Sequence, residues 1–425
     1  MSTRKSTAWK SIRNIFDQIH LYAGLISGLV VIAVCFSGTI YVYNTEIREF
    51  MDSELYFVEE TGARKSADEL KDFLEQSEAS NVVGVMWNEE ADRSVQFTLK
   101  QEGEEGRGTT YYVNPYSGAI LGNTSDKTQT AEFMGYMFSL HRWLLLDRIE
   151  TPILESMGNR DLGRFINGVA TLLFLLGVIT GIVIWVPNKV KSWKQGLKVK
   201  WSANWKRINH DLHNTLAFYS LIFLFIMGAT GPFWSYSWYR EGWQKTWDIY
   251  QEPVAKSEAP GGRGGEGKGG EGRGNGKNAE AEVAATAPAV LSLEDVFTAT
   301  NAELPYEGNI RVSLPSKASD PVSVSKYRTG FFARSGSDQL TLSSADLSVT
   351  EANLFSDLPW RQQVGRSVKS LHVGDIFGQF SKFLWFVACL IATSLPITGT
   401  LIWWNKRKKK PAKKKPMQTK VAEMA

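Results

Sequence analysis

The sequence predicts a membrane protein: a four-helix transmembrane bundle made of two parallel repeats, each carrying a small α+β module outside the membrane. Three observations predict it. Charged residues make up 22% of the 425, yet the windows 18–45, 165–188, 212–239 and 383–405 contain none. Each window exceeds the roughly 20 apolar residues that a helix needs to cross a bilayer core. Basic residues crowd into alternate segments between these windows. The same short motifs then recur, in the same order, in both halves of the chain.

The expected order is an N-terminal segment (1–19), span one (20–43), module one (44–162), span two (163–187) and a basic loop (188–210). Span three (211–236), module two (237–378), span four (379–404) and a basic tail (405–425) follow. Span one is too long for a signal-peptide core, and no small-residue cleavage site follows it, so it reads as an uncleaved anchor. The segments 1–19, 188–210 and 406–425 hold 20 Lys and Arg against two acids, Asp17 and Glu423. The positive-inside rule therefore puts both termini and the middle loop in the cytoplasm and both modules in the periplasm of a bacterial inner membrane. The basic tail directly follows a span, so orientation and anionic lipid account for it and no nucleic-acid partner is expected. Trp185, Trp193, Trp234, Trp238, Trp403 and Trp404 fall near the span ends, where amphipathic rings settle.

Spans one and three share a pattern. His20 precedes Ser37-Gly38 as His213 precedes Thr230-Gly231, and the interval from His to Gly is the same in both. That interval makes about five helical turns, so His and Gly share a face, about 27 Å apart along the axis. Spans two and four share Thr180-Gly181 and Thr398-Gly399, each followed by Trp185 or Trp403. Upstream of each stands Ser-Leu-His, at Ser139-Leu140-His141 and at Ser370-Leu371-His372. Both copies run in the same direction, so the axis relating them lies along the membrane normal. The small residue pairs suit close helix contact, and Pro232 and Pro396 mark kinks or helix ends.

In module one a helix is expected at 67–76, strands at 82–87, 94–99 and 109–113, and a turn at Asn114-Pro115-Tyr116-Ser117-Gly118. Module two repeats this with a helix at 293–302 and strands at 309–314, 322–327 and 339–342. Alternating β-branched and aromatic residues carry the strand readings. Residues 259–276 are Gly-rich and charged, a flexible insertion. No strand precedes this run and no helix start follows it, so it is not a phosphate loop.

Chemistry concentrates in five histidines, all beside predicted spans: His20, His210 and His213 at the cytoplasmic ends, His141 and His372 at the periplasmic ends. An ionisable residue at membrane depth marks a functional site by default. The repeat makes His20 equivalent to His213 and His141 equivalent to His372. An axis between the copies brings each pair to one depth, and two facing neutral imidazoles are what six-coordinate haem iron requires. For any single histidine the plain alternative is a bond to a carbonyl or water. His210 is an alternative ligand to His213, a supporting residue or a solvent-facing one. A zinc site from His210, Asp211 and His213 lacks further ligands nearby. Gly24 and Gly28 either leave room for a flat macrocycle or make a helix contact. Arg142 and Trp143 either approach a propionate or substrate or anchor the interface. Cys35 and Cys389 lie in apolar runs without CxxC spacing, which excludes covalent c-type haem and Cys-ligated iron–sulfur clusters.

At these residues the chain resembles the PepSY-associated transmembrane-helix family, also described as iron-regulated membrane proteins. The similarity rests on His20-Leu-Tyr-Ala-Gly24, Ser139-Leu-His141-Arg-Trp143-Leu, Asp211-Leu-His213 and Leu371-His372-Val-Gly374-Asp-Ile-Phe-Gly378, with the four small-Gly pairs. The segment from Asn114 to Gly122 is similar to a PepSY domain. The resemblance implies four spans, PepSY-like periplasmic modules, and His20, His141, His213 and His372 as ligands of haem b, two groups being expected. It also implies haem-dependent reduction of a ferric siderophore or another ferric chelate. GxGxxG spacing occurs only inside the Gly-rich run, which no strand precedes and no helix start follows, so it is no dinucleotide fingerprint and the electron donor is expected to be another molecule. The competing reading is a membrane scaffold whose modules bind a peptide, protease or envelope partner without redox activity. Transport is disfavoured because the spans hold no acidic residue for proton coupling.

Overall fold

A computed structural model describes residues 3–407 apart from 102, 105, 107, 187–189, 253–290, 316 and 318. The Gly-rich stretch 259–276 and the tail beyond 407 lie outside the described residues. The first half runs α1 (Thr3–Tyr41), α2 (Asn44–Met51), α3 (Ser53–Tyr56), α4 (Ala67–Glu78), β1 (Asn81–Trp87), β2 (Val95–Lys100), β3 (Thr109–Val113), β4 (Ile120–Asn123), α5 (Gln129–Trp143) and α6 (Asn159–Trp185). The second runs α7 (Trp205–Thr230), α8 (Ser237–Thr246), α9 (Leu293–Glu303), β5 (Gly308–Ser313), β6 (Val322–Arg328), β7 (Ser337–Leu342), β8 (Val349–Asn353), α10 (Trp360–Arg366), α11 (Val368–Val373) and α12 (Gly378–Arg407).

Among the described residues four helices, α1, α6, α7 and α12, are long and apolar enough to cross a membrane. The chain is a multi-pass membrane protein. Each span packs on two neighbours, in the cyclic order α1–α6–α7–α12, so α1 and α7 stand diagonally opposite. All four helices begin before their charge-free windows. α1 begins at Thr3, well before residue 20, because a helix continues through Arg13 and Asp17 once it leaves the apolar layer. α7 ends at Thr230, where Pro232 opens a 3-10 turn, whereas Pro396 lies inside α12.

The two modules share one antiparallel sheet, in the order β4-β3-β2-β1-β5-β6-β7-β8. The join is β1 on β5, with Val85 opposite Val312. Alternate residues of β2 and β6 point into a core of Leu70, Leu74, Phe97, Val296, Val324 and Leu340 under α4 and α9. These two helices cap each other reciprocally. Asp68 accepts from Leu293 N at 2.7 Å, and Glu294 accepts from Ala67 N at 2.7 Å. Carboxylates on helix N-termini complement the helix dipole. The strand expected at 109–113 is β3 with the same bounds, the other five shift by one or two residues, and each half gains a fourth, β4 and β8. Neither of these edge strands alternates buried with exposed positions, so no period-two signal marks them.

Candidate functional site

The four repeat-related histidines form two facing pairs, one at each end of the bundle. On the side of the basic loop, His20 of α1 faces His213 of α7 across the bundle, ring centroids 6.3 Å apart and planes at 83°. On the sheet side, His141 of α5 faces His372 of α11, 6.0 Å apart and at 62°. One partner in each pair comes from each half of the chain. His141 packs against Gly38, five turns along α1 from His20, so the helical rise sets the two levels about 27 Å apart.

Short helices deliver the sheet-side pair. α5 starts at Thr128, whose hydroxyl caps Ala131 N at 3.0 Å. It ends on two successive non-glycine residues in the left-handed region, Leu144 (φ 56) and Leu145 (φ 63). Each such residue costs about 1–3 kcal/mol and persists only where its surroundings impose it. The reversal leaves His141 in the last turn with its ring against α1. α11 reverses at Gly374 (φ 88), where a Cβ would meet Trp385 Cγ at 2.3 Å, so glycine is required there. Trp234, at the end of the 3-10 turn after α7, lies with its ring centroid 5.1 Å from that of His372.

Every ring sits on a small-Gly pair. A Cβ on Gly181 would meet His20 Cε1 at 3.3 Å, and one on Gly399 would meet His213 Cε1 at 3.2 Å. One on Gly38 would meet His141 Cε1 at 3.0 Å, and one on Gly231 would meet His372 Cε1 at 3.7 Å. The pairs expected to serve helix contact thus also make room for imidazoles.

The Nδ1 atoms share one role. His20 Nδ1 lies 2.9 Å from Gly177 O, and His141 Nδ1 lies 2.9 Å from Val34 O. His213 Nδ1 lies 2.9 Å from Thr398 Oγ1, and His372 Nδ1 lies 2.9 Å from Thr230 Oγ1. A carbonyl only accepts. Each threonine hydroxyl donates its proton back to its own helix, Thr398 to Ser394 O and Thr230 to Ile226 O, and so accepts from the ring as well. All four Nδ1 atoms therefore donate, and Nε2 keeps its lone pair. Burial pushes the His141 imidazole below its ordinary value, and the Arg142 charge adds to this. Burial does the same at His372, to about 3, with His141 adding. Both rings are thereby held in the neutral form that binds metal.

A cavity of about 580 Å³ opens at the loop-side level between all four spans, lined by His20, His213, Gly24, Gly181, Gly399 and Trp403 among others. This is the size of a cofactor site. Gly24 lines it, with nothing within 4 Å of a Cβ there, whereas a Cβ on Gly28 would stand 3.3 Å from Pro396 Cβ, so Gly28 serves a helix contact. His210 lies on the exposed rim, its ring nitrogens beside Asn214 Nδ2. Asp211 is occupied by Arg207 at 2.7 Å, and no group of three metal-ligating side chains occurs among the described residues. Trp143 is buried, with the Arg160 guanidinium 4.1 Å over its ring. Asn167 Nδ2 donates to His141 O at 2.7 Å and fixes the end of α5. In sequence Trp234 reads only as an interfacial ring. No motif marks Asn167 or the Gly177 and Val34 carbonyls, because backbone acceptors leave no trace in sequence.

No curated protein matches the chain. The family model described as the PepSY-associated TM region matches residues 18–406.

Proposed function

The chain belongs to the PepSY-associated TM family, and from that premise we propose that it is a b-type dihaem electron-transfer protein of a bacterial inner membrane. In this reading it reduces a ferric chelate, a siderophore complex being the expected class, on the sheet side. The sheet side is periplasmic and the basic segments are cytoplasmic, as the charge asymmetry favours.

The observation that carries the proposal is the spacing of the two facing pairs. A metal held between two imidazoles, with about 2.0 Å to each nitrogen and about 1.1 Å more to each ring centre, would set the ring centres about 6.2 Å apart. The observed separations, 6.3 and 6.0 Å, bracket that value. The donor chemistry agrees, since all four rings carry an oriented Nδ1–H and a bare Nε2. The four small-Gly pairs leave the rings room, and the loop-side cavity suits a large flat ligand.

Haem iron held between two imidazoles would supply reversible one-electron transfer and leave no open position for oxygen. The chain's own part is to hold the imidazoles neutral and oriented. Such outer-shell bonds are as much a part of a metal site as its ligands. The apolar spans keep water from the path between the levels. The sheet side offers the exit to the acceptor. Hard, oxygen-rich chelators hold Fe(III) better than Fe(II), so one electron delivered to the chelate loosens its iron. The electron donor is a separate molecule that meets the loop side.

The test is purification in mild detergent followed by a reduced-minus-oxidised spectrum and haem content per chain. Two b-type groups are expected. Alanine at His20, His141, His213 or His372 should each remove part of the spectrum, and alanine at His210 none. The reduced protein should be reoxidised by a ferric chelate. A colourless, folded preparation from haem-replete cells would end the redox reading and leave the sheet as a binding scaffold.

A further inference from the structure

The connection between β6 and β7 turns two aromatic side chains outward, Phe331 at 59% and Phe332 at 67% exposure. Their rings touch, with centroids 4.8 Å apart, and Phe332 packs on Phe380 of α12 at 5.7 Å. The backbone ties this tip to the start of the fourth span. Gln379 N donates to Phe331 O at 2.9 Å, and Arg334 bridges Phe377 as an isolated antiparallel pair. At Gly378 (φ +61) a Cβ would meet Phe331 O at 2.4 Å, so glycine permits the approach. Phe377 and Phe380 are themselves about half exposed.

Four phenylalanines thus form one open apolar patch. Patches of this kind mark interaction sites. Its place decides the partner. Phe380 lies in the first turn of a helix that crosses the membrane, so the tip stands at the depth where that helix enters the bilayer. We propose that the Phe331–Phe332 tip is a lipid-inserting wedge that seats the second half of the sheet in the headgroup–acyl boundary of the membrane. Aromatic side chains settle in this layer, some 5–10 Å into the boundary for amphipathic elements. Arg334, the one charge in the segment 329–336, suits lipid phosphate.

The matching connection of the first half differs in sequence. The equivalent connection, between β2 and β3, contains Glu102, Glu104 and Glu105 against Arg107, and no aromatic residue. Anionic lipid repels that end. The wedge therefore seats the sheet at its β6–β7 end, and the acidic sequence of the β2–β3 connection is expected to stay in water. The wedge stands whether or not the bundle binds haem.

The test uses the full chain with Cys35 and Cys389 replaced by alanine and one new cysteine, Phe332→Cys or Glu104→Cys, labelled with an environment-sensitive NBD dye. Each is placed in phosphatidylcholine nanodiscs with or without bromine near the glycerol end of the acyl chains. The label at 332 should emit to the blue and lose most of its intensity to bromine, while the label at 104 keeps its own. Equal insensitivity of the two labels overturns the wedge. So does a label at 332 that responds only to a second copy of the chain. With native side chains in place, the peptide 329–336 should take up deuterium more slowly in nanodiscs than in amphipol. Equal uptake would overturn the proposal independently.

Discussion

Gly38→Ala puts one methyl group where the structure leaves room for an imidazole. The added Cβ would lie 3.0 Å from His141 Cε1 and 3.1 Å from Nδ1, with Cys389 Sγ at 3.5 Å behind. Relaxed carbon contacts lie at about 3.5–4.0 Å, so the ring must give way by about 0.5 Å. It is not free to do so. Its Nδ1 is held to Val34 O at 2.9 Å on the same helix, and its partner ring stands at 6.0 Å. Overpacking of this kind costs about 1–3 kcal/mol, which is about 5- to 150-fold in haem retention at the sheet-side pair. The same logic ranks a series. Gly399→Ala and Gly181→Ala meet His213 and His20 at 3.2 and 3.3 Å and should weaken the loop-side pair by less. Gly24→Ala meets no protein atom within 4 Å, so a loss there reports on room for the ligand and not on an imidazole. The assay is haem per chain, with transfer to a scavenger protein resolved for each level by spectrum. Full sheet-side retention in Gly38→Ala, or full loop-side retention in Gly399→Ala, would refute the cradle as the reason for these glycines.

Thr230→Val removes the acceptor 2.9 Å from His372 Nδ1 while keeping the shape, and should weaken sheet-side retention about 10–100-fold. Thr230→Ser should restore it, and a scavenger-transfer rate unchanged by valine would count against the oriented Nδ1–H. Glu46 of α2 accepts from Lys382 Nζ at 2.6 and 2.8 Å and from Gln379 at 2.6 Å, joining the two halves of the chain. Burial alone would raise its carboxyl, but the Lys382 and Gln379 bonds outweigh it and hold the group below its ordinary value. A lowered folded value gives stability that is present above the ordinary glutamate range, about pH 4.3, and fades as pH falls through the lowered value. Glu46→Gln should therefore cost about 1–2 kcal/mol at neutral pH, less than a fully buried pair because Glu46 is a third exposed, and should flatten the acid limb. Thermal unfolding in detergent between neutral pH and the acid limb measures both, and parallel curves for the two proteins would contradict it.

Much of this arrangement is legible in the chain because the repeat converts single weak signals into ordered pairs. His20 and His213 each precede a small-Gly pair by the same interval, and a two-fold axis along the membrane normal then sets the two rings at one depth. The spans are plain from charge alone, but their ends are not, since α1 runs through charged residues that a helix tolerates once outside the apolar layer. The partners of the small-Gly pairs are hidden for a different reason. Spacing places Thr180-Gly181 on a helix face but does not say that the face meets α1, where His20 waits. The single sheet is hidden too. Val85 and Val312 are opposite each other across the join, yet they belong to different halves of the chain and read equally well as inner positions of separate sheets. The edge strands β4 and β8 have no buried alternation to read.

The two levels of the bundle are not independent. α1 carries His20 at the loop side, and at the sheet side it supplies both the Gly38 surface and the Val34 acceptor of His141. α7 carries His213 and supplies Gly231 and Thr230 to His372 in the same way. α6 and α12 support the loop-side rings through Thr180-Gly181 and Thr398-Gly399, and they also brace the short helices of the sheet-side pair, through Asn167 on His141 O and Trp385 on Leu371 O. α1 and α7 are diagonal, and α6 and α12 hold them apart. The near-equal separations at the two levels, 6.3 and 6.0 Å, are thus reached by different means: the loop-side rings stand on the diagonal helices themselves, and the sheet-side rings on α5 and α11 packed against those helices. Midway between the levels, a Cβ on Gly28 would stand 3.3 Å from Pro396 Cβ, so a change there presses α1 against α12 and meets no ring, whereas a change at Gly38 or Gly399 meets one ring directly.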